Sequence, residues 1–246
     1  MAGLLEAENL YKSFGGLMAI NGVDLRLDTG EILGLIGPNG SGKTTLFNLI
    51  AAVYRPDGGS IRFKERDIAA TSSADVCQMG IARTFQVTRP FPLLTVLDNV
   101  KLGRAFGRAP AKTLRQAEVE ASEILEFTGL APKSSVIAGR LGLIDRKRLE
   151  LAKALATRPE LLLLDEIMAG LNPTEIGAAA DLIHRVRDSG ISIIIIEHMM
   201  RAILKLCDRV MVLNTGQKIA EGVPRDVMLN HEVIKAYLGV DTHAQS

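Results

Sequence analysis

One run in the chain has the residue types and spacing to hold phosphate. Gly37-Pro38-Asn39-Gly40-Ser41-Gly42-Lys43-Thr44 fits G-x-x-x-x-G-K-[ST] at every fixed position. Glycines at these places let backbone N–H groups converge on phosphate oxygens, and a helix starting behind them adds its partial positive charge. Lys43 then reaches the β and γ phosphates of a nucleotide, and the Thr44 hydroxyl offers a hard oxygen to Mg²⁺. Two carboxylates, Asp165 and Glu166, follow the apolar run at 161–164. Ligands of open α/β sheets collect at the carboxyl ends of strands. There Asp165 suits Mg²⁺ binding through water, and Glu166 suits orienting or deprotonating an attacking water. A third apolar run, 193–196, ends in Glu197-His198. His198 is placed to hydrogen-bond a γ-phosphate and fix the water. Taken singly, an Asp-Glu pair after a strand is a solvated turn and a lone His a structural hydrogen-bonder. The phosphate loop turns both readings toward chemistry.

The elements that must position these groups are legible around them. Runs 32–36, 161–164 and 193–196 are short and unbroken, as in strands buried on both faces of a parallel sheet. Leu46, Leu49, Ile50 and Val53 follow helical spacing, as do Met199, Ala202, Ile203 and Leu206. Asn172-Pro173-Thr174-Glu175 reads as a helix start with Asn as cap, Pro at N1 and Glu at N3. Ile176, Ala179, Ala180 and Ile183 continue that helix, and Gly190 can end it. Such strand–helix alternation predicts βαβ units. Residues 23–28 alternate apolar with charged, and 61–64 do so after the turn Pro56-Asp57-Gly58-Gly59, which predicts an antiparallel sheet near the N-terminus. From about Thr88 to Arg158 the periodicity is helical, for example Ala117, Ala121, Ile124 and Leu125. Residues 210–213, 214–216 and 218–220 read as strand, turn and strand. The expected organisation is one α/β domain, 1–246. Its core is formed by 1–87 and 159–246, and a helical subdomain is inserted at 88–158.

Composition sets limits on partners. The 246 residues carry 29 basic and 28 acidic side chains, net +1, which gives no electrostatic argument for nucleic acid. With 47% apolar and 23% charged residues the chain is expected to fold rather than remain disordered. Mean hydropathy is +0.19, yet no apolar run approaches the roughly 20 residues that cross a bilayer. The opening Met-Ala-Gly-Leu-Leu-Glu lacks the pattern of a signal peptide. Cys77 and Cys207 stand far apart without metal spacing and read as reduced core thiols, and the tail 241–246 reads as frayed. Arg146, Lys147, Arg148 and Lys153 read as a solvated helix face.

Together these pieces resemble the ATP-binding cassette (ABC) ATPases over essentially the whole chain, from Leu5 to about Val240. The resemblance implies a P-loop NTPase (RecA-like) core, ATP and Mg²⁺ as ligands, and ATP hydrolysis coupled to transport. Gly37–Thr44 is the Walker A loop, and the cofactor-binding set is Phe14, Gly37, Pro38, Asn39, Gly40, Ser41, Gly42, Lys43, Thr44 and Thr45. Phe14 resembles the aromatic that stacks on adenine. Residues 161–166 are Walker B, with Glu166 catalytic. Gln86, in Arg83-Thr84-Phe85-Gln86, falls at the Q-loop, implying a role in catalysis and at Mg²⁺ beside Thr44 and Asp165. His198 falls at the switch histidine, and Asn172 occupies the D-loop aspartate position. The segments 15–19, 44–48, 82–86 and 169–173 look most like ATPase subunits of branched-chain amino acid importers. The partners so implied are a second ABC ATPase chain, membrane permease subunits and, indirectly, a solute-binding protein, at the cytoplasmic face of the membrane.

The chain departs from the family at the signature Leu-Ser-Gly-Gly-Gln, where Leu141-Gly142-Leu143-Ile144-Asp145 stands. The serine is Gly142, which has no hydroxyl, and the second glycine is Ile144, which resists φ > 0 and close phosphate approach. Ile167 replaces a proline after Glu166. In the family each ATP lies between one chain's Walker A and the other's signature. A defect here spoils the partner's site and predicts an asymmetric pair. A second reading is a nucleotide-gated assembly protein with little turnover. A third, a P-loop kinase or GTPase, lacks the guanine-reading Asn-Lys-x-Asp, and its acceptor chemistry suits Glu166 and His198 less well than water attack.

Overall fold

The structure, a computed structural model, describes residues 3–84, 88 and 90–238. In chain order it runs β1 (Leu5–Phe14), β2 (Leu17–Leu27), β3 (Ile32–Ile36), α1 (Lys43–Ile50), β4 (Gly58–Phe63) and β5 (Arg66–Asp67). Then come α2 (Ser73–Met79), β6 (Ile81–Arg83), α3 (Val96–Phe106), α4 (Leu114–Thr128), α5 (Leu143–Ala156), β7 (Leu161–Asp165) and α6 (Pro173–Asp188). Last are β8 (Ser192–Ile196), α7 (Met200–Leu206), β9 (Arg209–Asn214), β10 (Gln217–Gly222), α8 (Pro224–Met228) and α9 (His231–Leu238). These elements form two compact units, Met1–Ser72 with Ser192–Ser246, and Ser73–Ile191.

The first unit holds the antiparallel sheet β2-β1-β4-β5. Val23, Leu25 and Leu27 are buried while Asp24 and Arg26 are exposed, the alternation of a sheet with one wet face. Beside it β3 runs parallel to both β8 and β9, pairing Gly34 with Ile195 and with Val210, and β10 closes antiparallel on β9. All five residues of β3 and of β8 are buried, which is why their runs contain no polar break. Helix α1 buries Leu46, Phe47, Leu49 and Ile50 but stops sooner than its periodicity predicts. Ala52 takes φ +52° and the Val53 N–H returns to the Asn48 carbonyl (2.8 Å), so the chain turns out and Val53 is exposed.

Gly34 has a packing reason. A Cβ there would lie 2.9 Å from the Cys207 Sγ. Burial, assisted by the charges of Asp208 and Glu197, pushes that thiol from 9.0 up to about 12. A raised value in the folded state means stability that is intact below pH 9 and lost as pH rises from there toward 12. Native chain exposed to iodoacetamide at pH 9 is expected to leave Cys207 unlabelled until it is unfolded. Labelling at the rate of a free thiol contradicts this.

In the second unit β6 pairs parallel with β7, Ile81 with Leu161 and Arg83 with Leu163. Helices α3, α4 and α5 bury Val96, Val100, Ala121, Leu125, Leu149 and Ala152 in one core. They lie within the expected insert, and the unit's contacts also take in β6, β7 and α6. Thr95 and Thr113 cap α3 and α4, and Gly129 ends α4 in the left-handed conformation. Helix α6 begins as its spacing predicts: Asn172 accepts from the N–H groups of Thr174 and Glu175 (3.0 Å each), and Glu175 accepts from the Asn172 N–H (2.8 Å). Among the described residues no helix is long and apolar enough to cross a membrane.

The three helices are joined by Arg104, which is 1% exposed. From α3 it pairs with Glu120 of α4 and donates to the carbonyls of Ala156 (3.0 Å) and Ala109 (3.1 Å). Arg104→Ala removes every one of these donors, so a loss of about 3 kcal/mol in urea denaturation is expected. A loss below ~1 kcal/mol contradicts the role given to Arg104.

Candidate functional site

The phosphate loop hangs between β3 and α1, and its shape depends on three glycines. Gly37 has φ +147°, and a Cβ there would lie 2.1 Å from the Leu213 carbonyl oxygen. Gly42 has φ +106°, with a Cβ 2.6 Å from the Ala19 oxygen. Real Cβ atoms do not come this close, so both places need glycine. Gly40, at φ +77°, faces open space. The loop is pinned by Ser41 N–H to Pro38 O (3.2 Å) and Gly216 N–H to Ser41 O (3.0 Å). Gly42 also occupies the N-cap of α1 without a capping side chain, which leaves the helix amides to a ligand.

Lys43 is 6% exposed, and its Nζ donates to the carbonyls of Gly37 (2.8 Å) and Pro38 (2.9 Å). The ammonium thus rests on the loop it would leave for a phosphate. Thr44, the next residue of α1, is exposed with its hydroxyl oxygen available to a hard cation. Sequence reasoning missed Tyr237 of α9. Its phenol, pushed up by partial burial, approaches the backbone of Gly37. No spacing pattern points to that contact.

Phe14 ends β1 with its ring 42% exposed. Tyr54 meets it edge-on, with centroids 5.1 Å apart at 69°, and Lys12 Nζ stands 5.4 Å from the ring centroid. Tyr54 was not foreseen. His198, following β8, is exposed, whereas Glu197 is buried.

In the second unit Asp165 ends β7, is 4% exposed, and is ion-paired with Arg83 of β6 through Oδ2 (2.9 Å). Its N–H reaches the Thr84 hydroxyl (3.2 Å). Glu166 follows with φ +49°, uncommon for a residue with a side chain. Strain of this kind gathers where a side chain must be aimed. The Glu166 carbonyl accepts from Lys147 Nζ (3.1 Å) and from the Ala169 N–H (3.2 Å). The solvated basic face expected on α5 is therefore corrected. Lys147 is buried on Glu166, Lys153 is paired with Glu150 (2.8 Å), and Arg146 donates to the Gly139 carbonyl (3.1 Å). Gln86 lies outside the described residues. Among the described residues no group of three or more His, Cys, Asp or Glu is placed to hold a metal.

The signature region forms the start of α5. Gly142 is its N-cap at φ −69°, with nothing within 4 Å of a would-be Cβ. Leu143 is exposed and its Cδ2 lies 3.3 Å from where a Cβ on Gly170 would sit. Ile144 occupies the first helical turn, so the concern about positive φ does not arise. What it brings instead is bulk. Asp145, also in that turn, is paired with Lys133. Asn172 spends its side chain on the cap of α6.

The sequence model of the family described as "ABC transporter" matches residues 20–169, and one described as "Branched-chain amino acid ATP-binding cassette transporter" matches 217–243. A high-affinity branched-chain amino acid transport ATP-binding protein, LivG of Salmonella typhimurium, is 39% identical over 96% of this chain and 98% of its own length. BraF of Pseudomonas aeruginosa, described in the same words, is 36% identical over 96% and 98%. Among solved structures, a nucleotide-free ATP-binding cassette from an ABC transporter superposes with TM-score 0.87 at 31% identity, covering 96% of this chain and 99% of that one. The ADP conformation of such a cassette gives 0.87 at 31%, over 98% and 100%. A phosphate loop at a bare helix start, joined to these full-length likenesses, leaves one conclusion: the chain belongs to the ABC transporter family, as an ATP-binding subunit.

Proposed function

We propose that this chain is the ATPase of an importer for branched-chain amino acids or similar small polar solutes, working against a second, different ATPase chain. The observation that carries the reading is the loop 37–44, with Lys43 at the start of an uncapped helix. The near-full-length relatives supply the solute class.

The loop residues Gly37 to Thr45 hold the phosphates through backbone N–H groups and Lys43, and Phe14 stacks on the adenine. The hard oxygens of Thr44 and Asp165 fit Mg²⁺, with Asp165 acting through water and Gln86 assisting. Mg²⁺, when bound, offsets charge on the β and γ phosphates. Glu166 takes the proton of the attacking water as its oxygen bonds to the γ-phosphorus. The bond to the β–γ bridging oxygen breaks, leaving ADP and phosphate. His198 hydrogen-bonds the γ-phosphate and fixes that water. The helical insert 88–158 moves against the core and passes the motion to a membrane permease. Exposed Phe91, Leu93 and Leu94 ahead of α3 suit such an apolar contact. A solute-binding protein acts on the far side, and the chain sits at the cytoplasmic face.

The asymmetry follows from α5. Gly142 offers no hydroxyl at the helix start that would meet the partner's ATP, and Ile144 stands where the family has a glycine. Each charge-assisted contact so lost costs about 1.5–3 kcal/mol, roughly ten- to a hundredfold in rate. This chain's own nucleotide borrows the partner's signature and escapes the defect.

Two experiments test the proposal. Glu166→Gln is expected to cut ATPase of the assembled complex by about 10²-fold or more while nucleotide affinity stays; unchanged turnover removes Glu166 from catalysis. Gly142→Ser, for which there is room, combined with Ile144→Gly, is expected to raise turnover. A folded double variant with wild-type turnover speaks against the signature defect.

A further inference from the structure

Within the second unit, α5 and α6 line a partly open cavity of about 370 Å³, inside the range of about 300–1,000 Å³ that takes small molecules. Ile144, Leu151, Ile167, Leu171, Leu182 and Ile183 give it an apolar lining. Its charges are nearly all engaged. Lys133 is paired with Asp145, Lys147 donates to the Glu166 carbonyl, and Glu175 is held by the Asn172 N–H. Arg148 makes no hydrogen bond or ion pair with the described residues. Three cations, Lys133, Lys147 and Arg148, against two anions, Asp145 and Glu175, leave the lining at net +1.

One unmatched cation above apolar walls fits one negative charge on an apolar body. We propose that the cavity binds a small apolar monocarboxylate, with its carboxylate on Arg148 and its hydrocarbon against Leu151, Leu182 and Ile183. Lys147 both lines the cavity and holds the Glu166 carbonyl, so a bound carboxylate beside it alters how Glu166 is held and thereby changes turnover. The binding part stands on the cavity alone. The effect on turnover rests on the reading of Glu166 as catalytic.

The test is calorimetric titration of the purified full-length chain with octanoate. Saturable one-to-one binding is expected, about tenfold or more weaker in Arg148→Gln, the loss of a charge-assisted contact. It should be abolished in Ala179→Phe, which fills the cavity. Circular dichroism checks that both variants fold, and Arg148→Gln carries the test if Ala179→Phe does not. 1-Octanol and leucine are expected to bind at least tenfold more weakly, the first lacking the charge and the second carrying an ammonium into a positive site. Titration with 4-methyl-2-oxopentanoate separates the two sources of this chemistry: tighter binding than octanoate assigns the site to 2-oxo acids, weaker binding to fatty acids. Absence of saturable octanoate binding overturns the proposal, as does equal binding of 1-octanol or wild-type affinity in folded Arg148→Gln. Octanoate is then added to the assembled transporter. A change in ATPase that vanishes in Arg148→Gln supports the link through Lys147. Unchanged turnover at saturation overturns that link, and leaves the role of Glu166 to be decided by Glu166→Gln alone.

Discussion

An anion held at a helix N-terminus needs bare N–H groups and nothing in front of them. Among the described residues two helix starts are of this kind, each with a glycine N-cap and no capping side chain: Gly42 before α1 and Gly142 before α5. The first is cleared for phosphate. Gly40 faces open space and Lys43 waits on the loop carbonyls. The second carries Ile144 and Asp145 in its opening turn. Asp145 suits the helix dipole, but a carboxylate there opposes an incoming phosphate, and its pairing with Lys133 offsets only part of that charge.

Much of the first unit can be understood as support for the first helix start. The Leu213 and Ala19 carbonyls leave no room for a Cβ at Gly37 and Gly42, so β9 and β2 restrict which residues the loop can hold. Strand β3 brings the chain to that point fully buried and flanked by parallel neighbours. The second unit holds Glu166 by different means. Glu166 sits at positive φ, with its carbonyl held by Lys147 from α5. Helix α5, which begins after Gly142, therefore also holds the carbonyl of Glu166.

The parts of the fold that were legible in the sequence are those where one physical rule acts locally. The apolar runs became β3, β7 and β8, and Asn172-Pro173-Thr174-Glu175 became a complete capping box, because burial on two faces and helix capping leave marks within a few residues. Helices α2, α8 and α9 were not read from the sequence, and α8, Pro224–Met228, is too brief to display a period. The site divides in the same way. Gly37 to Thr44 was readable because backbone and ligand geometry dictate the glycines. The Arg83–Asp165 pair, the reach of Lys147 to Glu166, and the contacts of Tyr54 and Tyr237 depend on residues distant in sequence. Lys147 was misread as solvated because a charged helix face looks the same whether it meets water or a carbonyl.

We propose that phosphate chemistry is intact at this chain's loop and impaired where its α5 would meet a partner's nucleotide. Photoreactive ATP trapped with vanadate during turnover of the assembled complex tests it most directly, because the label reports which chain's loop held the nucleotide when hydrolysis occurred. Label is expected predominantly on this chain, and equal labelling of both ATPase chains speaks against the asymmetry.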